Sequence, residues 1–230
     1  PRLLGFDKTC FVVVTSDKGL AGNLNSGVIR KTEQEIIRRG LTTQNTLFIA
    51  IGSRGGDYFA ARGYDVRMRR TNVSDAVSEW DMRLVTDQIL AWQAEGEIQE
   101  CVMVYTNFIS TFEQEALARE IIPIRPAVYA EIVKGIRPAR GKYAPRTGAG
   151  EDVRPAPYTI EQDRDEVLTL ILPKLLTIAI FHALLENKAS EHSARMVAMK
   201  SATDKAKEMA QGLTRTFNRV RQAAITREVS

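Results

Sequence analysis

Two loops in this 230-residue chain carry the residue types that cradle phosphate. SDKGLAGN (residues 16–23) follows an apolar run and precedes a helical pattern, where strand-end turns and helix N-termini hold anions. IGSRGG (residues 51–56) occupies a second such junction. Neither has the GxGxxG or the GxxxxGKS/T spacing. Gly19 and Gly22 therefore read as a tight turn and close helix packing, not as a nucleotide site. His182 and His192 would face different sides of a helix and do not make a metal pair. Glu113, Glu115 and Glu120 are scattered, and no serine, cysteine or lysine lies in a nucleophile motif. Cys10 and Cys101 fall in apolar runs and read as buried, reduced thiols, which fits a reducing compartment. The expectation is a chain with no catalytic constellation, no metal and no cofactor.

The chemistry that remains is association. Met199, Ala202, Ala206, Met209, Leu213, Phe217, Val220 and Ala224 recur at steps of three and four, a heptad seam with one extra-residue step between Leu213 and Phe217. Gly212 is the single strong helix weakener in that stretch. A coiled-coil seam must be buried, and the chain holds no second helix of matching length. Nine basic and five acidic residues lie between Glu186 and Ser230, so the whole net charge of +4 sits on this helix. That favours an acidic partner. Nucleic acid is disfavoured, because acids interleave with the bases and Phe217 is the only ring after Phe181.

The elements that position the seam follow from hydrophobic period. TCFVVVT (residues 9–15), TLFIAI (residues 46–51) and ECVMVYT (residues 100–106) predict buried strands. A further strand is expected near Val66, and a weaker extended one over residues 118–125. Helices are predicted over residues 25–39, with Val28, Ile29, Ile36 and Ile37 inward, and around residues 57–62. Another is capped by Ser74, with Val77, Trp80, Leu84 and Ala91 as one stripe widened by Val85, Ile89 and Trp92. Strands buried on both faces and alternating with helices give an α/β, Rossmann-like domain with a mainly parallel sheet over residues 1–133. Residues 134–158 hold four prolines and four glycines and read as a loop. Residues 159–230 read as a long helix, half of an antiparallel coiled coil, which Pro173 kinks or divides. VLTLILPKLLTIAIFHALL (residues 167–185) has the length of a membrane span, but Pro173, Lys174 and His182 argue for a helix buried in protein and no direct span. Nothing at the start resembles a signal peptide, and Pro1 implies a chain that begins partway or has been processed.

ASEHSARMVAMKSATDKA (residues 189–206) and FNRVRQAAITREVS (residues 217–230) closely resemble the C-terminal helix of the gamma subunit of F-type ATP synthase. VVVTSDKGLAGNLN (residues 12–25) resembles that subunit's first strand and its DRGLCG(G/S)LN loop, and IAIGSRG (residues 49–55) and VYTNFIS (residues 104–110) follow in order. Three departures stand out. Ala21 replaces a frequent cysteine, the cysteine-bearing insert of chloroplast members is absent, and the proline-rich stretch over residues 134–158 is not a family hallmark.

The resemblance implies a central-stalk rotor subunit without catalysis of its own, in a proton-translocating complex. The implied partners are the alpha and beta subunits, the epsilon subunit, the c-ring and the family's own N-terminal helix, which this sequence lacks. Arg221, Gln222, Thr226, Met196, Met199 and Lys200 are implied to contact partners. The implied location is peripheral, on the cytoplasmic face of a bacterial inner membrane, or the matrix or stroma side in an organelle. Two rivals stay open on the residues alone: a nucleotide-dependent enzyme and a coiled-coil adaptor.

Overall fold

The computed structural model describes residues 8–75, 78–123 and 164–229. In chain order these form β1 (Lys8–Val14), α1 (Leu24–Arg38), β2 (Thr46–Ile51), α2 (Ser53–Ala60), β3 (Asp65–Arg70), α3 (Glu79–Ala94), β4 (Ile98–Phe108), β5 (Gln114–Ile122) and α4 (Arg164–Val229). The sheet order is β3-β2-β1-β4-β5. β1 pairs in parallel with β2 and β4, and β2 with β3, while β5 returns antiparallel to β4. The sheet is thus mainly parallel, as the apolar runs of β1 and β2 require. Their residues are buried on both faces, which demands a layer of helices on each side. β3 is an edge strand whose DVRMRR sequence alternates exposed and half-buried positions and meets water with charge.

Side chains on the two sheet faces form two cores. On one face Phe11, Phe48 and Phe59 stack at 5.6 and 4.4 Å, with Tyr64 edge-on, beneath α1 and α2. The other face carries Cys10, Val12, Ile49, Cys101, Met103 and Tyr105, covered by α3 and α4. Cys10 and Cys101 are register partners, and both are free, buried thiols. Burial pushes the Cys10 thiol well above its ordinary value, and the adjoining Cys101 adds to this.

Two helix faces differ from expectation. In α3 the buried residues are Met82, Val85, Thr86, Ile89 and Trp92, whereas Trp80, Leu84 and Ala91 are exposed. Both sets satisfy a helical period, and tertiary contact with α4 selects the second. The cap is Ser78, not Ser74: the Asp81 amide donates to its hydroxyl at 3.4 Å, and that hydroxyl donates to the Asp81 carboxylate at 2.8 Å. Val77 lies outside the described residues. In α1, Ile37 points to solvent, and Leu24, Val28, Thr32 and Ile36 face the sheet. Residues 134–158 and the boundary at 133 also lie outside the described residues.

α4 passes Pro173 without interruption. At about 1.5 Å per residue its 66 residues reach about 100 Å. It contains a stretch long and apolar enough to cross a membrane by length and composition, of which 39% is buried within the fold. Leu176, Ala179, Ile180, Ala183 and Leu184 pack into the core with α3 and the sheet. The Thr177 hydroxyl lies 3.0 Å from both the Thr86 hydroxyl on α3 and the Pro173 carbonyl. A partly buried polar cluster adds to the joint: His182 Nδ1 is 3.5 Å from the Glu186 carboxylate. The Asn107 amide, with its nitrogen turned toward that carboxylate, donates to both oxygens at 3.3 and 3.1 Å. Burial pushes Glu186 upward against the pull of Arg119 and Tyr105, and burial lowers His182.

Gly52 adopts φ +93°, and a Cβ there would meet the Thr15 carbonyl oxygen at 2.1 Å. Gly52→Ala is expected to cost at least the 1–3 kcal/mol or so of a strained backbone, with the clash in addition, read as a lowered thermal midpoint. Glu186 gives a pH test. Its folded carboxyl binds a proton more tightly than the unfolded one, so stability is lost as pH rises from about 4.5 through the folded value and is flat above it. Glu186→Gln is expected to remove that loss, so that urea midpoints of wild type and variant diverge on going from pH 4.5 to 7.

Candidate functional site

No residue of α4 beyond Glu191 is buried, and every residue over Ser201–Val229 is exposed. The seam read from the sequence is therefore open. Met209, Leu213, Phe217 and Val220 are 61–69% exposed, and Ala202, Ala206 and Ala224 are exposed beside them. For an apolar stripe this is far outside the norm of soluble surfaces. Helix propensity cannot account for it, since Gly212 sits mid-stretch with nothing packed on it. Thr203, Thr214, Thr216 and Thr226 each return their hydroxyl to the carbonyl four residues back, at 2.8–3.1 Å.

The stripe also runs further than the sequence reading took it. Ile171, Ile178 and Leu185 are exposed on the outward side of α4 above the sheet. They continue at seven-residue steps through His192 to Met199, Ala206, Leu213 and Val220. The signal was present in the spacing, but inside VLTLILPKLLTIAIFHALL apolar residues fill most positions on every side of the helix and no period stands out. A straight helix drifts about 20° per heptad, so a partner following this stripe must supercoil around α4.

The loop over residues 16–23 and the β4–β5 hairpin clasp α4 where it leaves the sheet. Gly22, Phe112, Ala194, Val197 and Ser201 line a cavity of about 230 Å³ between them. Phe112 lines it and projects into solvent, and Leu20 and Ile109 of the same two segments are exposed as well, an apolar collar that no sequence pattern announced. The loop's polar groups are spent on its own shape. Asn25 Oδ1 accepts the Ser16 amide at 2.9 Å, and the Asp17 carboxylate accepts the Ser53 and Asn72 amides, each at 2.9 Å. A carboxylate occupies the place where a phosphate would need donors. The IGSRGG turn is consumed in the same way: its Ser53 and Gly55 amides go to Asp17 and to the Thr15 hydroxyl.

On the other side of α4, Lys188 donates to the Val73 carbonyl at 2.7 Å. Asp75 sits 3.3 Å from both Lys188 and His192, and these partners, His192 first, hold its carboxyl below the ordinary range. His192 and His182 thus lie beside different carboxylates. Among the described residues no three His, Cys, Asp or Glu side chains converge as a metal set.

The residues expected to contact partners fall into two groups. Met196, Met199 and Lys200 lie exposed beside the collar. Arg221, Gln222 and Thr226 lie near the far end, about 45 Å past the last buried residue by helical rise. Among the described residues Arg215, Arg219, Arg221 and Arg227 have no ion pair, and Lys205–Glu208 at 2.7 Å is the one pair on this half.

The chain matches the model of the ATP synthase family over residues 3–230. Three solved chains share its fold. One, from the central stalk/c-ring of Tetrahymena thermophila mitochondrial ATP synthase, is 19% identical, with a TM-score of 0.61 over 87% of this chain and 79% of that one. Another, from the rotor of Euglena gracilis mitochondrial ATP synthase in rotational state 1, is 16% identical, with a TM-score of 0.62 over 95% and 75%. A third, from the OSCP/F1/c-ring of the Euglena gracilis enzyme in rotational state 3, is 16% identical, with a TM-score of 0.63 over 97% and 70%. A family match along almost the whole chain, with an α/β foot and one long uncovered helix, makes this a member of the ATP synthase family: the gamma, or central-stalk rotor, subunit of an F-type, membrane-associated complex.

Proposed function

We propose that the chain transmits torque and performs no chemistry itself. The carrying observation is the far half of α4, exposed on every face yet bearing an apolar seam. Such a helix is a shaft awaiting a socket. The foot, with its sheet and two helical layers, is the rigid body that turns with the membrane c-ring and the epsilon subunit. The shaft enters the ring of alpha and beta subunits, and an antiparallel helix completes the seam. An asymmetric rod makes different contacts with three chemically equivalent sites as it turns, and thereby shifts the conformational populations of each. Proton flow supplies the rotation. The complex lies on the cytoplasmic face of a bacterial membrane or on the equivalent organellar side.

Arg221 and Gln222 are the proposed contacts near the shaft's end, and Thr226 stands one turn beyond. Met196, Met199 and Lys200 are the contacts near the collar. An exposed guanidinium without an ion-pair partner among the described residues suits a carboxylate or carbonyl of the ring. Each charge-assisted bond contributes about 1.5–3 kcal/mol. Replacing Arg221 and Gln222 together by alanine is expected to lower ATP turnover or assembly of the complex several-fold, while circular dichroism shows the foot still folded. Unchanged assembly and unchanged coupling would count against these contacts.

Hydrogen exchange gives a second test. In the isolated chain, amides over residues 199–225 are expected to exchange within seconds, because uncovered helix of this composition opens readily. In the assembled complex the same amides are expected to be protected by orders of magnitude. Strong protection in a verified monomer would mean that the helix needs no partner.

A further inference from the structure

In doubly wound sheets a ligand binds outside the carboxyl ends of the strands, where the strand order reverses. Here the order β3-β2-β1-β4-β5 reverses between β1 and β4. The crevice at their ends is not open: α4 lies across it. Asn107 at the end of β4 meets Glu186, and Thr106 beside it shares a cavity of about 80 Å³ with Ala194. Asn187, Ser190 and Glu191 lie between those two points on α4, and with Ala194 they form one helix face at steps of three and four. That face changes character as it crosses the crevice. Below it Leu176, Ile180, Ala183 and Leu184 are apolar, whereas Asn187, Ser190 and Glu191 are polar and equally buried.

Glu191 is satisfied by Arg195 at 2.6 Å. The others are not. The Thr106 hydroxyl, both polar atoms of the Asn187 amide and the Ser190 hydroxyl are buried without a hydrogen-bond partner among the described residues. Three side chains on two elements that pack against each other, each at least nine-tenths buried, carry these unpaired donors and acceptors. Buried polar groups left unpaired are costly, and clusters of them are the usual seat of internal water, which makes two to four hydrogen bonds. The cavity lined by Thr106 and by Ala194, one turn along α4 from Ser190, is several times what one water requires.

We infer that the switch-point crevice of this domain is a hydration site, in which Thr106, Asn187 and Ser190 together hold ordered water between the sheet and α4. The ligand position of the fold is taken by the chain's own helix, and water completes the joint. An apolar joint would let the helix settle at several rotations about its axis. A water fixed by an amide and two hydroxyls defines one. This inference stands on the foot alone and does not depend on the rotor reading.

Two measurements test it. A structure of the chain, or of the complex containing it, at a resolution that shows ordered solvent is expected to have density within hydrogen-bond distance of at least two of the three side chains. Direct bonding of these side chains to one another or to another protein segment would overturn the inference, as would a dry crevice. Magnetic relaxation dispersion of water on the chain counts long-lived internal waters. Asn187→Leu with Ser190→Ala is expected to lower that count, and the near-isosteric Thr106→Val, which tests the same site if the double variant fails to fold, should lower it too. An unchanged count in a folded variant would overturn the inference.

Discussion

Everything in this molecule hangs on how the turns of α4 over residues 176–184 sit on the sheet. Leu176, Ile180, Ala183 and Leu184 form an apolar stripe, and the small Ala179 and Ala183 let the helix approach closely. Each fully buried side chain of this kind contributes about 1.5–3 kcal/mol relative to exposure. That anchor must hold a lever that extends tens of ångströms beyond it. The polar contacts surrounding the stripe are placed where a lever needs them, on both flanks: Thr177 to Thr86 on one side, Glu186 to Asn107 on another, Lys188 to Val73 further out.

How far this was legible in the sequence varied with the physics of each element. TLFIAI is buried on both faces and stopped by Gly52, so its strand could be read to the residue. DVRMRR lies at an edge where charge serves solvent, and only a strand somewhere near Val66 was evident. The face of α3 was ambiguous because Trp80 and Leu84 obey the same period as Val85 and Ile89. Only the packed partner decides between them. Ser74 and Ser78 are both competent caps, and the reciprocal bond with Asp81 selects the second. The seam was plain from Met199 onward because polar residues frame it. Toward Ile171 it was hidden in a run too apolar on all sides for one stripe to stand out.

The strand-end loops show why a ligand-like motif can be empty of function. Both have glycines at a strand–helix junction; in the first the Ser16 amide goes to Asn25, and in the second the Ser53 and Gly55 amides go to Asp17 and Thr15. What resembles a phosphate cradle is a pair of loops bolted to each other. Resemblance of the whole chain to a family, resting on long stretches at both ends, proved the stronger guide. The collar of Leu20, Ile109 and Phe112 was invisible to both approaches, since it arises only when two distant loops meet around a third element.

The placement of charge has a kinetic consequence. Because the +4 of the chain resides wholly between Glu186 and Ser230, the remaining residues are neutral in sum, and the protein is a dipole tens of ångströms long with its positive pole at one end. In the field of an acidic socket such a body is turned before it touches. The shaft leads, and encounters in which the foot leads are disfavoured. Screening over about 8 Å at physiological ionic strength confines this torque to the last approach. If the shaft threads a ring as proposed, the orientation it needs is set by its own electrostatics, and its rate of entry falls as salt is raised.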